Sequence, residues 1–306
     1  MIANFFSKTK PINFLLLSIL VVIIFIVAVI NVNSEPLSLY LFAKNGLFLF
    51  FSILTLFILN FIIRKNGLTE DNSLAILFYI LMISYFPNIF AHDGLFLSNF
   101  ILLFAFRRIY SLRSSIETKE KIFDSSFWIG IASLFYIWSI LFILIVYAGI
   151  VIFRKTDWRN FIIPLIGFIT PVFLSYTYLL AFDDLIRFYE LWDFELNMDI
   201  STYVTQKMMV PLVLIGVFAI AAIYPTTKRS LLAKIDFKST WSLLLTHILV
   251  SLLVVLISPV KDGSEFLFLF FPLSILFANY LQVIERYWIR ESIIYIFIIA
   301  VFSNFF

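Results

Sequence analysis

IFDSSFWIGIASLFYIWSILFILIVYAGIVIF, residues Ile122–Phe153, decides how this chain is laid out. The stretch is 32 residues long and carries one charge, Asp124. Lys119 and Lys121 precede it, and Arg154, Lys155 and Arg159 follow it. A straight helix of this length would measure about 48 Å, at about 1.5 Å per residue. The hydrocarbon core of a bilayer is only about 30 Å thick. Basic residues at both ends place both ends on the cytoplasmic side, because short cytoplasmic loops collect Lys and Arg. The stretch therefore reads as a hairpin of two short membrane helices. Its turn is expected near Tyr136-Ile137-Trp138-Ser139, where aromatic rings suit an interface.

The rest of the chain agrees in character. Of 306 residues, 62% are hydrophobic, 19% aromatic and 13% charged, with a mean hydropathy of +1.04. Soluble domains carry about 25% charged residues. The apolar runs are continuous, whereas a membrane barrel alternates over segments of about ten residues. The expectation is an all-α, polytopic transmembrane bundle, one domain over residues 1–306. The absence of cysteine excludes thiolate metal sites, disulfides and cysteine nucleophiles. The formal charge of +3 is no sign of nucleic-acid binding, because the basic residues sit in short loops beside apolar runs.

About eleven helices follow from the hydropathy: 12–31, 46–63, 74–90, 95–109, two within the hairpin, 160–181, 208–225, 241–258, 266–284 and 292–306. Pro164, Gly167 and Pro171 predict a kink in the 160–181 segment. A short interfacial helix is expected at 110–121. An amphipathic outer helix is expected within 183–207, where Leu185, Phe188 and Trp192 share a face. With the N-terminus cytoplasmic, Lys44, Arg187, Lys207 and Lys261 are the outer basic residues of 22 in the chain. If Ile122–Phe153 crossed only once, nine basic residues from Arg154 to Arg290 would lie outside, against the positive-inside rule. The sidedness predicts a multi-pass membrane protein with a cytoplasmic N-terminus.

Chemistry has few places to sit. The outer carboxylates are Glu35, Asp93, Asp183, Asp184, Glu190, Asp193, Glu195, Asp199, Asp262 and Glu265. Such an acidic face can bind a divalent metal or activate a hydroxyl group. The plainer reading is that outer loops are polar and lose basic residues to topology. His92-Asp93-Gly94 has turn chemistry. His247 lies within an apolar segment, where an ionisable group is a functional candidate but a neutral imidazole also simply bonds a neighbouring helix. No phosphate-binding glycine loop, dinucleotide fingerprint or His-Glu-x-x-His zinc motif is present.

Two resemblances arise. Lys8-Thr9-Lys10-Pro11-Ile12-Asn13-Phe14, Arg64-Lys65-Asn66-Gly67-Leu68-Thr69, Arg107-Arg108-Ile109-Tyr110-Ser111-Leu112-Arg113 and Ile122-Phe123-Asp124-Ser125-Ser126-Phe127-Trp128 make the whole chain resemble a family of multi-pass inner-membrane proteins of Bacteroidota, built on a domain of unknown function. The layout is also similar to that of C-type glycosyltransferases, which use polyprenyl-phosphate-linked sugars. That resemblance implies that Glu35, in the first outer loop, is the catalytic base. It implies that Asp93, Asp183 and Asp184 bind substrate or metal, and that Arg187 and Lys261 contact the phosphate of a membrane lipid carrier. This chain departs from the pattern at Glu265-Phe266, where such enzymes have Arg-Tyr. Three functions follow: a lipid-linked-sugar transferase; a non-catalytic scaffold or lipid-handling subunit of an envelope complex, suggested by the missing arginine; or a transporter with His247 as its proton site.

Overall fold

The computed structural model describes residues 2–32, 39–233 and 235–302. Its helices, in chain order, are α1 (Ile2–Phe6), α2 (Pro11–Val32), α3 (Leu39–Asn66), α4 (Leu74–Ser84), α5 (Asp93–Tyr110), α6 (Thr118–Ser133) and α7 (Ile143–Ile152). They continue with α8 (Trp158–Ala181), α9 (Leu185–Leu191), α10 (Gln206–Leu232), α11 (Ile235–Ile257), α12 (Leu267–Val283) and α13 (Tyr287–Phe302). No strand occurs among the described residues. Among the described residues, seven segments are long and apolar enough to cross a membrane: Pro11–Ile30, Leu39–Asn66, Asp93–Arg113, Trp158–Ala181, Lys207–Leu232, Phe237–Ile257 and Ser264–Val283. Leu74–Ser84 and Ile137–Ile152 are apolar but shorter. This is compatible with a multi-pass membrane protein. Each of the eleven expected segments holds a helix, and seven of them have spanning length.

The chain forms two compact units. The first comprises residues 1–92, 199–234 and 260–306. Helix α12 is its centre, with 78% of its apolar window buried. Phenylalanines from four helices meet there: Phe78 of α4, Phe218 of α10, Phe277 of α12 and Phe297 of α13, with ring centroids 4.8–6.1 Å apart. Tilted and edge-to-face pairs of this kind add about 0.5–1.5 kcal/mol each beyond burial. The Tyr85 hydroxyl donates to the Phe297 carbonyl at 2.6 Å, tying the end of α4 to α13.

The second unit comprises residues 93–198 and 235–259 and contains the deciding stretch. Helix α6 stops at Ser133, the chain turns over 134–136, and a 3-10 turn (Ile137–Phe142) leads into α7. The Lys155 ammonium, just past α7, donates to the Ser115 hydroxyl, just before α6, so the two free ends of the hairpin lie together. Polar side chains hold the turn region: Ser98 meets Ser139 at 2.6 Å, and the Tyr136 hydroxyl donates to Ser258 at 2.7 Å. Tyr136 and Ser139 are buried there, and the Trp138 indole N–H donates to the Glu195 carbonyl at 3.1 Å. Helix α8 packs along α6 and runs through Pro164 and Pro171 as one helix. Glycines allow the approach. A β-carbon on Gly130 would fall 2.7 Å from the Phe168 carbonyl oxygen, and one on Gly167 would fall 2.7 Å from that of Phe123.

Three expectations need correction. No interfacial helix forms at 110–121. Instead α5 ends in a 3-10 turn (Ser111–Arg113), and buried Lys121 donates to the Ser111 carbonyl at 2.9 Å and the Ser114 hydroxyl at 2.6 Å. A lysine so placed closes a helix end whose carbonyls lack partners. Helix α10 does not end at Pro225 but continues to Leu232, with the Thr226 hydroxyl bonded to the Ala222 carbonyl. The amphipathic outer helix is only seven residues, α9, followed by non-helical chain to Ile200 and a 3-10 turn at Ser201–Val204. Its expected face does pack inward: Phe188 lies 5.2 Å from Tyr176 and 6.1 Å from Trp192.

Candidate functional site

The proposed base Glu35 lies outside the described residues. The other expected residues divide between the units. Asp93, Asp183, Asp184 and Arg187 belong to the second unit and Lys261 to the first.

The acids of the second unit do local work. Asp93 is the first residue of α5, where a carboxylate suits the positive helix end. Asp183 adopts a left-handed backbone (φ 56°) just past α8. Its N–H donates to Leu180, and that of Asp184 donates to Leu179, closing the helix C-terminus. Asp184 then sits immediately before α9. Arg187 is exposed on α9, and no ion pair or side-chain hydrogen bond joins it to Asp183 or Asp184. His247 is sealed, with its ring 4.1 Å from Phe106 and Nδ1 3.2 Å from the Tyr110 hydroxyl. Those contacts fit the helix-bonding reading of this histidine.

Lys261-Asp262-Gly263-Ser264-Glu265 is where polar groups converge in the first unit. Gly263 turns the chain with φ 96°, and a β-carbon there would fall 2.3 Å from Phe86 Cδ1. The turn is closed by its own carboxylates. Asp262 Oδ1 accepts from Ser264 N at 3.1 Å and Ser264 Oγ at 2.6 Å, and Glu265 Oε2 accepts from Gly263 N at 3.0 Å. Distant segments supply the remaining partners. His92 Nε2 contacts Asp262 Oδ2 at 2.7 Å, and the Tyr203 hydroxyl donates to Glu265 Oε1. The Lys261 ammonium lies 6.0 Å from the centroid of the Tyr203 ring.

Electrostatics follow the burial. Desolvation pushes the Lys261 ammonium below its usual range, opposed by the nearby Glu265 charge. At Asp262 desolvation pulls upward, but bonds from His92 and Ser264 outweigh it and hold the carboxyl below its usual range. His92 and Asp262 are about one-third exposed, while Glu265 is fully buried. Such a carboxylate–imidazole pair can orient a histidine to accept a proton. Among the described residues no three His, Asp or Glu side chains converge as a metal site.

A second polar feature lies within the second unit. Asp124, the one charge of the deciding stretch, pairs with Arg108 of α5 at 2.5 Å. The pair edges a groove of 420 Å³, with Arg107 beside it and Phe104, Phe123, Phe127 and Trp128 as its apolar lining. Within that lining the Phe104 and Trp128 rings are in contact, with centroids 5.0 Å apart. Guanidinium groups beside aromatic rings suit an amphiphile, with an anionic head on the arginines and a hydrocarbon tail on the rings.

The segments quoted above for the first resemblance all belong to the described helices and their connections. The chain belongs to the family of unknown function DUF6427. The match covers residues 1–306. No curated protein and no solved structure matches the chain.

The joining of His92 to Asp262, of Tyr203 to Glu265 and of Arg108 to Asp124 was missed in the sequence. The first pair spans 170 positions. A signal was present only for the third: a lone acid in a greasy run needs a cation, and Arg107-Arg108 ends the apolar segment just before it.

Proposed function

We propose that the protein is a multi-pass protein of the bacterial inner membrane, with its N-terminus cytoplasmic, that handles lipid without catalysing a reaction. The observation carrying this reading is the groove of Arg107, Arg108 and Asp124 with its aromatic lining. It sets arginines beside aromatic rings, the two chemistries that a lipid's head and tail call for. The carboxylates at 262–265 also suit a non-catalytic role, since their oxygens are engaged in closing the loop. The test is lipid retention. Purified protein, stripped progressively with detergent and weighed intact by native mass spectrometry, is expected to keep bound lipid. R107Q and W128A should lose it at least several-fold more readily, with unfolding midpoints in detergent unchanged. Equal retention by wild type and both variants sinks the reading.

A second reading is favoured by one observation, the partly exposed His92–Asp262 pair. In it, the protein transfers a sugar from a polyprenyl phosphate, with Glu35 or His92 taking the acceptor proton and Lys261 facing the phosphate. Protein in lipid, given such donors and an acceptor extract, is then expected to transfer sugar, and E35Q or H92Q to stop it. Absence of transfer, or transfer indifferent to both substitutions, removes this reading.

A further inference from the structure

The first unit contains a cavity of 610 Å³ that neither reading uses. Its wall comes from the α1–α2 connection, the α3–α4 loop and the α12–α13 junction, including Lys8, Lys10, Glu70, Asp71 and Arg290. The two acids are already engaged: Glu70 pairs with Arg229, and Asp71 lies 3.8 Å from Arg64. Glu291, beside Arg290, is also taken, accepting from Ile2 N at 3.1 Å, Ala3 N at 3.0 Å and the Tyr287 hydroxyl at 2.6 Å. Lys8, Lys10 and Arg290 have no carboxylate partner among the described residues. Arg290 Nε donates to the Ile284 carbonyl at 2.5 Å, which fixes the guanidinium and leaves its terminal nitrogens for another acceptor.

Independent of the charges, two polar atoms of the same wall are buried without a hydrogen-bond partner: the Thr9 hydroxyl and the Gln282 side-chain nitrogen. Buried donors left unsatisfied cost about 1–3 kcal/mol each. Three cations and two donors therefore surround a space of ordinary ligand size. Acceptor oxygens in number, on a group of negative charge, would satisfy all five.

We propose that this cavity binds a phosphoryl group. Arg290 supplies the paired hydrogen bonds that suit a phosphate's oxygens, Lys8 and Lys10 add charge, and Thr9 and Gln282 donate the remaining bonds. The phosphate belongs either to the head of an anionic phospholipid or to a soluble phosphate ester, and the two arms of the experiment separate them. Full-length protein is placed in nanodiscs of phosphatidylcholine, with phosphatidic acid added in one arm and inorganic pyrophosphate in the other. A third arm adds oleic acid, which is anionic but carries no phosphate. The unfolding midpoint is expected to rise in one or both phosphate arms and to stay level with oleic acid. The lipid arm alone assigns a headgroup, and the pyrophosphate arm alone a soluble ester. K10Q with R290Q is expected to weaken the response about ten-fold or more, measured as the rise over the variant's own midpoint without phosphate. R107Q, in the other unit, is expected to respond as wild type, so failure of the groove reading does not touch this one. No rise in either phosphate arm, an equal rise with oleic acid, or an undiminished response in the double variant overturns the proposal. A double variant that fails to fold is replaced by T9V, whose response is expected to weaken; an unchanged response in T9V overturns it equally.

Discussion

At Gly263 one dihedral angle holds a cluster together. Its φ of 96° is open to glycine and strained for other residues, and Phe86 occupies the space a side chain would need. G263V is therefore expected to cost about 1–3 kcal/mol, read as a lower unfolding midpoint in detergent. Asp262 makes a different prediction, about pH. Burial alone would raise its pKa, but the bonds from His92 and Ser264 prevail and depress it. A depressed carboxyl contributes stability above its unfolded value of about 3.9, and that contribution is lost as pH falls through the lower folded value. Wild type is thus expected to lose stability on acidification from about pH 5 downward more steeply than D262N, as acid titrations of the midpoint would show. Parallel curves would mean the His92 and Ser264 bonds do not shift this group. Loop and turn acids were legible in the sequence as such. Their partners were not, because nothing local marks His92 as the neighbour of a residue 170 positions away.

Among the elements, α6 and α8 show how a lipid-compatible interface is built from absence of side chain. Hydrocarbon offers no hydrophobic force between helices, so close backbone approach and packing must suffice. Gly130 and Gly167 permit that approach from opposite helices. G130V is expected to cost about 1–3 kcal/mol through overpacking, and G167V a similar amount. The measurement is the unfolding midpoint of each, with Gly216, where an added β-carbon meets nothing within 4 Å, as the control site for the same substitution. Helix positions were readable because long apolar runs with basic ends leave little else to form. Helix ends were less so. Pro225 looked like a terminus, yet α10 runs on to Leu232, and just past the proline the Thr226 hydroxyl adds a further bond to the Ala222 carbonyl. Lys121 was expected on a short interfacial helix at 110–121, and its ammonium instead finishes the end of α5.

For the whole molecule, sidedness is the property to test, and the chain suits the test because it has no cysteine of its own. Single cysteines replacing Lys10 and Ser115 are expected to resist a membrane-impermeant maleimide in intact cells, whereas one replacing Asp184 reacts. With Ser115 unreactive, reaction of a single cysteine replacing Thr156, just past the stretch, would rule out the hairpin arrangement within the membrane. Large exposed apolar residues such as Leu165, Val217, Ile220 and Leu249 cover the long helices, as lipid contact requires. The Lys155–Ser115 bond carries a last consequence. Two helices whose free ends emerge side by side form an even-numbered insert, so a ribosome feeding them into the bilayer returns to the compartment from which it began. Their gain or loss during descent would leave every later segment facing the way it already faced, and a lineage can thus remodel this block without turning the remainder of the protein inside out.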